Sequence, residues 1–98
     1  MAFIQIIEMK TSKIDELTAM EAEWRKATEG KRTLRRSIIA RDRNDPKRHV
    51  ILAFFDSYES AMENSKLPET VAFADKQAAL LDAPPAFFDL DIVEDDES

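Results

Sequence analysis

The six-residue run Val50–Phe55, with the sequence VILAFF, contains no polar side chain. It is bounded by the charged stretch RDRNDPKRH before it and by Asp56 after it. A short run of this kind, rich in β-branched and aromatic residues, is typical of a β-strand. Because successive side chains of a strand point to opposite faces, apolar residues at every position require that both faces of the sheet are covered.

Four segments have the composition of strands. They are FIQIIEMK (3–10), TLRRSIIAR (33–41), HVILAFF (49–55) and FFDLDIV (87–93). With helices between them, the order is β-α-β-β-α-β, the ferredoxin-like pattern of the α+β class. In that pattern a four-stranded antiparallel sheet carries its helices on one face only. We therefore expect the other face to be covered by the sheet of a second copy, in a C2 homodimer.

The first helix is predicted from a start signal and an apolar stripe. Ser12 and Asp15 have the spacing of a capping box, and Gly30, the only glycine, suits a left-handed position after the helix. The predicted stripe consists of Ile14, Leu17, Glu21, Trp24 and Thr28.

The second helical region is predicted to consist of two pieces. Asp56 with Glu59 has the spacing of a helix start, and Leu67-Pro68 predicts a break with Pro68 opening a new helix. The predicted buried stripe of that new helix is Val71, Ala74, Ala78 and Leu81, with Phe73, Gln77 and Leu80 beside it.

The basic residues are concentrated in one segment. The chain has a net charge of −6, but Lys31 to Arg48 carries eight basic and two acidic residues. Asn44, Asp45 and Pro46 predict a turn between two strands, with Asn44 supplying local hydrogen bonds. No aromatic residue is interleaved for base stacking, so the sequence favours pairing with the acidic stretch DLDIVEDDES, of the same chain or its mate, over nucleic-acid binding.

The length of 98 residues predicts one domain over 1–94, followed by an acidic tail at 95–98. The chain has no cysteine, no apolar run long enough for a membrane span and no signal-peptide pattern. These features predict a cytoplasmic protein without a membrane partner.

The stretch RDRNDPKRHVILAFFDSYESAMENSKLPETVAF (41–73) resembles the antibiotic-biosynthesis-monooxygenase superfamily of dimeric α/β barrels. The likeness consists of an RD…DP…R hairpin, a hydrophobic strand ending in the aromatic Phe55, and a helix opening with DSYES. Phe73 in the next helix and Pro84-Pro85 before the last strand extend it over nearly the whole chain.

The resemblance implies a range of chemistries. The superfamily includes cofactor-free monooxygenases that act on polycyclic phenols, and haem-degrading enzymes. The haem degraders are similar to one another in an asparagine on the first strand and a haem-ligating histidine in the second helical region. Here Gln5 is on that strand and the helical region has no histidine, so the resemblance implies no haem and no other cofactor.

Two residues are candidate catalytic groups. His49 is the only side chain whose unperturbed pKa lies near neutral pH, so it is the candidate general base. The alternative is a strand-end residue that faces solvent or the dimer mate. Tyr58, near the start of the second helical region, is the other candidate.

Five residues are predicted to line a ligand pocket, and none to bind a metal. They are Gln5, Trp24, Phe55, Asn64 and Phe73. Trp24 could instead be plain core, and Asn64 simply a favoured residue at a helix terminus. Gln5 is a polar group in an apolar strand, which either orients a ligand or satisfies a neighbouring backbone group.

Two functions follow from these features. The first is a homodimeric enzyme, a cofactor-independent monooxygenase that acts on an aromatic or polyketide-like molecule. The second is a non-catalytic homodimer that binds a small molecule or another protein. A cavity of roughly 300 Å³ or more favours the first.

Overall fold

The computed structural model describes residues 1–97 and contains four strands and three helices within them. They are β1 (Phe3–Lys10), α1 (Ile14–Ala27), β2 (Arg36–Arg41), β3 (Arg48–Phe55), α2 (Tyr58–Lys66), α3 (Pro68–Ala79) and β4 (Ala86–Asp91). Ser98, the last residue of the predicted tail 95–98, lies outside the described residues.

The strands form one antiparallel sheet in the order β2-β3-β1-β4. The two apolar strands β3 and β1 are central and pair in a register that sets Phe3 opposite Phe55 and Ile7 opposite Ile51. This is the predicted ferredoxin-like arrangement, with helices on one face of a four-stranded antiparallel sheet. The predicted ends of the strands shift by one to three residues at β2, β3 and β4.

Odd-numbered residues of the central strands face the helices. Phe3, Ala53 and Phe55 are buried there with Ala61 of α2, and Tyr58 packs edge-on against Phe3 with ring centroids 5.5 Å apart. Even-numbered residues face the opposite side, which is apolar as well. Directly opposed rows on that second face join Ile38, Leu52, Ile6 and Phe88, and Arg36, Phe54, Ile4 and Leu90.

The predicted capping box at the start of α1 is wrong. The Ser12 side chain is exposed, and it is the fully buried Thr11 that organises this turn. Thr11 Oγ1 accepts the Lys13 N–H at 2.9 Å and donates to the Leu80 carbonyl at 2.7 Å. A hydroxyl that also joins the end of α3 satisfies more buried groups than a solvent-facing serine could.

The predicted stripe of α1 is confirmed, since Leu17, Trp24 and Thr28 are buried and Ile14 and Glu21 are half-buried. The helix ends at Ala27, where Thr28 Oγ1 donates back to the Trp24 carbonyl at 2.7 Å. Gly30 has φ +80°, the left-handed conformation that its position predicted.

The start of α2 differs from the prediction by one residue. Ser57 and Ser60 form a reciprocal capping box, whereas Asp56 is engaged by Arg35, whose Nη2 lies 2.6 Å from Asp56 Oδ2. The hydrogen bonds from that guanidinium hold the pKa of Asp56 below its usual value. The predicted break at Leu67 and the start of α3 at Pro68 are confirmed.

The stripe predicted for α3 is wrong by one position on the helical wheel. Gln77 is buried and Phe73 and Leu80 are half-buried, while Ala74 and Ala78 are exposed. The helix therefore packs the side that carries a large ring and an amide against the rest of the chain, and Ala74 and Ala78 stay exposed.

The turn between β2 and β3 is confirmed, but its local acceptors are aspartates instead of Asn44. Asp42 Oδ1 accepts the Asn44 N–H at 2.8 Å, and Asp45 Oδ1 accepts the Lys47 N–H at 3.1 Å. Arg48 then donates to Glu8 on β1 at 3.0 Å, which ties the hairpin to the sheet.

The prediction that the basic segment pairs with the acidic end of the same chain is wrong, because β2 and β4 are the two opposite edges of the sheet. The basic edge and the acidic edge are separated by the two central strands.

Candidate functional site

A cavity of about 360 Å³ lies between the helix-facing side of the sheet and the helices. Its floor is formed by the central strands, through Ile7, Ile51 and Ala53. One wall comes from α1 and the other from α3. The break at Leu67 redirects the chain, and α3 packs beside α1 through the contacts of Trp24 with Thr70 and Phe73. The volume is within the range of small-molecule sites.

The wall contains all five residues that the sequence predicted for a ligand pocket. They are Gln5, Trp24, Phe55, Asn64 and Phe73. Trp24 and Phe73 face each other with ring centroids 6.2 Å apart, and Phe87 of β4 adds a further ring. The structure therefore brings these residues together in one aromatic chamber, while their role toward a ligand stays a prediction.

His49 lies elsewhere. It is buried on the helix-facing side of β3, with 2% of its surface exposed, and it does not line the cavity. The interpretation that it faces solvent is wrong. Its Nδ1 is 3.0 Å from the Lys47 carbonyl, which makes Nδ1 the protonated nitrogen, and its buried Nε2 has no partner within residues 1–97.

Tyr58 also lies outside the cavity wall. It is 48% exposed at the first turn of α2, and its ring covers Phe3 at the edge of the core. The two candidate catalytic residues are therefore not brought together with the five pocket residues.

The cavity wall contains two deeply buried amides. Gln77 is 8% exposed, and its Nε2 donates to Met9 Sδ at 3.0 Å, a weak acceptor. Asn64 is 6% exposed, and its Oδ1 accepts the Thr33 N–H at 3.2 Å. The remaining polar atoms of these two side chains have no hydrogen-bond partner among residues 1–97. Both amides can therefore still bond to a molecule in the cavity.

A polar network at the α1 side of the wall was not assigned to the site from the sequence. Arg25 Nη2 donates to Ser37 Oγ at 2.7 Å and lies 3.2 Å from Glu21 Oε1, which also accepts the Ser37 hydroxyl at 3.1 Å. Glu21 and Ser37 both line the cavity. The sequence signal that could have indicated this network is Glu21, the acidic residue in the predicted buried stripe of α1.

A smaller groove of about 220 Å³ lies between α1 and α3 on the other side of Trp24 and Phe73. Glu69 lines it and accepts from Lys31 Nζ at 2.7 Å. This hydrogen bond holds the pKa of Glu69 below its usual value.

Two classes of feature are not found within residues 1–97. No helix among them is both long and apolar enough to cross a membrane. No group of three histidine or acidic side chains in this part of the chain has the arrangement to hold a metal ion.

No protein-family model matches the sequence, and no curated protein matches it. Solved structures do match its fold. SnoaB, a cofactor-independent oxygenase from Streptomyces nogalater, is 12% identical with a TM-score of 0.81, over 96% of this chain and 95% of that one. Rv0793 from Mycobacterium tuberculosis is 14% identical with a TM-score of 0.79, over 99% and 100%.

A proposed antibiotic biosynthesis monooxygenase from Chloroflexus aurantiacus J-10-fl is 20% identical, with a TM-score of 0.76 over 99% of this chain and 98% of that one. The chain therefore has the same fold as these three structures, the fold that its hairpin and strand motifs indicated.

Proposed function

We propose that this protein is a homodimeric enzyme that binds a small aromatic molecule in the cavity and oxidises it with O₂ without a cofactor. The observation that carries the proposal is the cavity itself, about 360 Å³ in volume, lined by Trp24, Phe55, Phe73 and Phe87 with two buried amides in its wall. An apolar chamber with a few directed polar groups is the usual form of a small-molecule site.

In this proposal the aromatic rings of the wall pack against a planar substrate, and Gln5 and Asn64 set its orientation through hydrogen bonds. The substrate loses the proton of a phenol or enol to water and gives one electron to O₂. The resulting radical and superoxide combine through a new C–O bond into a peroxide anion, which takes up a proton. Cleavage of the O–O bond and of the C–H bond at the same carbon then releases water and leaves a carbonyl group. The protein contributes binding, orientation and exclusion of water in this scheme.

The homodimer is supported by the second face of the sheet. Leu52 and Ile6 at its centre are only half-buried in the single chain, and Phe88 and Leu90 are 47% and 45% exposed. A contiguous apolar surface of this extent marks an interface. A second copy of the same sheet offers the self-complementary surface that a C2 dimer requires.

A second candidate is a homodimer that binds the aromatic molecule without chemistry. It is favoured by the positions of His49 and Tyr58 outside the cavity wall. Both functions share the same ligand site and differ only in the reaction.

The test has two stages. A thermal-shift screen of phenols, hydroxyquinones and polycyclic enols identifies a ligand that raises Tm, and oxygen uptake with that ligand separates the two candidates. Uptake with formation of a carbonyl product supports the oxygenase, and binding without uptake supports the binding protein. Absence of a ligand in all three classes would contradict both.

A matched pair of variants locates the ligand. Ala74→Trp places a large ring on the α3 wall of the cavity, and Ala78→Trp places the same ring one turn further along α3, outside it. Both alanines are exposed, so both variants are expected to fold. Only Ala74→Trp is expected to abolish the thermal shift.

A further inference from the structure

The charge of the cavity wall has one sign. Within residues 1–97, the ionisable side chains that line the cavity are Glu21 and Asp75, both acidic. A third carboxylate, Asp89, accepts from Gln5 Nε2 at 3.1 Å at the border of the wall. No lysine, arginine or histidine of these residues is part of the lining.

The nearest cation is already engaged. The Arg25 guanidinium contacts Glu21 Oε1 through Nε at 3.3 Å and Nη2 at 3.2 Å, and Nη2 also donates to Ser37. The two guanidinium contacts with Glu21 and the bond from the Ser37 hydroxyl converge on the same carboxylate oxygen, Glu21 Oε1. Glu21 Oε2 accepts none from residues 1–97, so it is the acceptor that this wall offers to a ligand.

The buried amides give a second, independent indication of a polar ligand. The Gln77 carbonyl oxygen, in a side chain more than nine-tenths buried, accepts no hydrogen bond from residues 1–97 and borders the cavity. Because this oxygen bonds to no group of the described chain, it is free to accept from a donor group on a ligand. The wall thus combines carbonyl and carboxylate acceptors with aromatic faces, which attract positive charge.

We propose that the cavity selects aromatic ligands that are neutral or positively charged and carry a hydrogen-bond donor, and that it excludes aromatic anions. This inference rests on the proposed small-molecule site and specifies its ligand class. For the proposed oxygenase, the substrate enters in its protonated hydroxyl form and donates that hydrogen to the Gln77 carbonyl oxygen, while the Glu21 carboxylate sets the charge preference of the wall.

Three ligands with one ring system test the proposal. They are 2-naphthylmethylamine, 2-naphthalenemethanol and 2-naphthoate, measured by titration calorimetry at pH 7 and low salt. The amine and the alcohol are expected to bind, and the naphthoate to bind about ten-fold more weakly than the alcohol, which corresponds to roughly 1.4 kcal/mol of charge repulsion.

Glu21→Gln is the decisive variant, because the amide keeps the size of the side chain and releases the Arg25 charge. Its naphthoate affinity is expected to rise and its amine affinity to fall, each about five-fold, with the alcohol nearly unchanged. Glu23→Gln is the matched control. It removes the same charge from the same helix, at a residue that lines the α1/α3 groove instead of the cavity.

The outcomes separate this inference from the proposed function. If all three ligands bind with equal affinity, or if Glu21→Gln and Glu23→Gln behave alike, the charge selection is overturned while the ligand site stands. If none of the three gives a heat of binding or a thermal shift, the ligand selection is overturned. The Ala74→Trp and Ala78→Trp pair with other ligand classes then decides whether the site itself stands.

Discussion

The indole Nε1–H of Trp24 donates to Thr70 Oγ1 at 3.0 Å, and this hydrogen bond joins the last turn of α1 to the first turn of α3 at the edge of the cavity. Both residues line the cavity, so the bond links the two helices that form its walls. Trp24 is buried, and a buried indole needs such a partner for its N–H.

A double-mutant cycle measures this bond. Thr70→Val leaves the indole N–H without an acceptor and is expected to lower the free energy of unfolding by about 1–3 kcal/mol. Trp24→Phe is expected to cost about 2 kcal/mol, because it also leaves a void. The double variant should be more stable than the two losses predict, by about 1 kcal/mol. Urea denaturation gives all four values, and strict additivity would contradict the coupling.

The fold was predictable because its signals are local and redundant. The unbroken apolar run of β3 required cover on both faces, and Pro68 separated the helices without any tertiary information. The start of α1 was not predictable in this way. Thr11 organises that turn through the Leu80 carbonyl, 69 residues away, and no pattern in the sequence reports such a contact.

The pocket residues were predictable for a related reason. Gln5 and Trp24 stood out by being polar or large on faces whose direction the strand and helix periods give. His49 and Tyr58 are candidate catalytic residues on their chemistry alone, and the fold places both outside the cavity wall. Glu21 is visible on the α1 stripe in the sequence. Its place in the polar network of the cavity wall depends on Ser37 of β2, which only the tertiary structure brings near.

The ion pair between Lys31 and Glu69 is expected to make stability depend on pH in the acid range. The pKa of Glu69 is lowered in the folded state, so its contribution is present above the unfolded-state value of about 4.3 and is lost as pH falls through the folded value. Glu69→Gln should therefore lower stability at pH 7 and have a smaller effect at acid pH. Lys31→Met is the matched partner variant, and urea midpoints at both pH values measure the difference. Equal losses at the two pH values would contradict the assignment.

The second sheet face predicts the assembly state. The wild-type protein is expected to sediment at twice the chain mass of 11.2 kDa, and Leu52→Glu at the mass of one chain. A charge at the centre of an apolar interface has no partner there, which accounts for the loss. Phe88→Glu on the edge strand is a second variant, which disturbs the single chain less because Phe88 is more exposed.

Ala19→Glu, on the exposed side of α1, is the control for these variants and should leave the dimer intact. Sedimentation velocity at micromolar concentration decides the matter. A wild-type protein that sediments as one chain, or a Phe88→Glu variant that folds and remains paired, would contradict the interface.

Gln77 is expected to lower the stability of the fold and to strengthen the binding of a ligand. Its amide is buried against the Met9 thioether, an acceptor too weak to repay the loss of hydration. Gln77→Leu has a similar volume and should raise the free energy of unfolding by about 1 kcal/mol. The same change removes an acceptor from the wall, so 2-naphthalenemethanol should bind about five-fold more weakly, while naphthalene, which has no hydroxyl, should bind as before. Urea denaturation and calorimetry on one preparation test both halves. A less stable variant would mean that the amide is satisfied in the folded protein, and an equal loss for both ligands would mean that Gln77 shapes the cavity without bonding to its occupant.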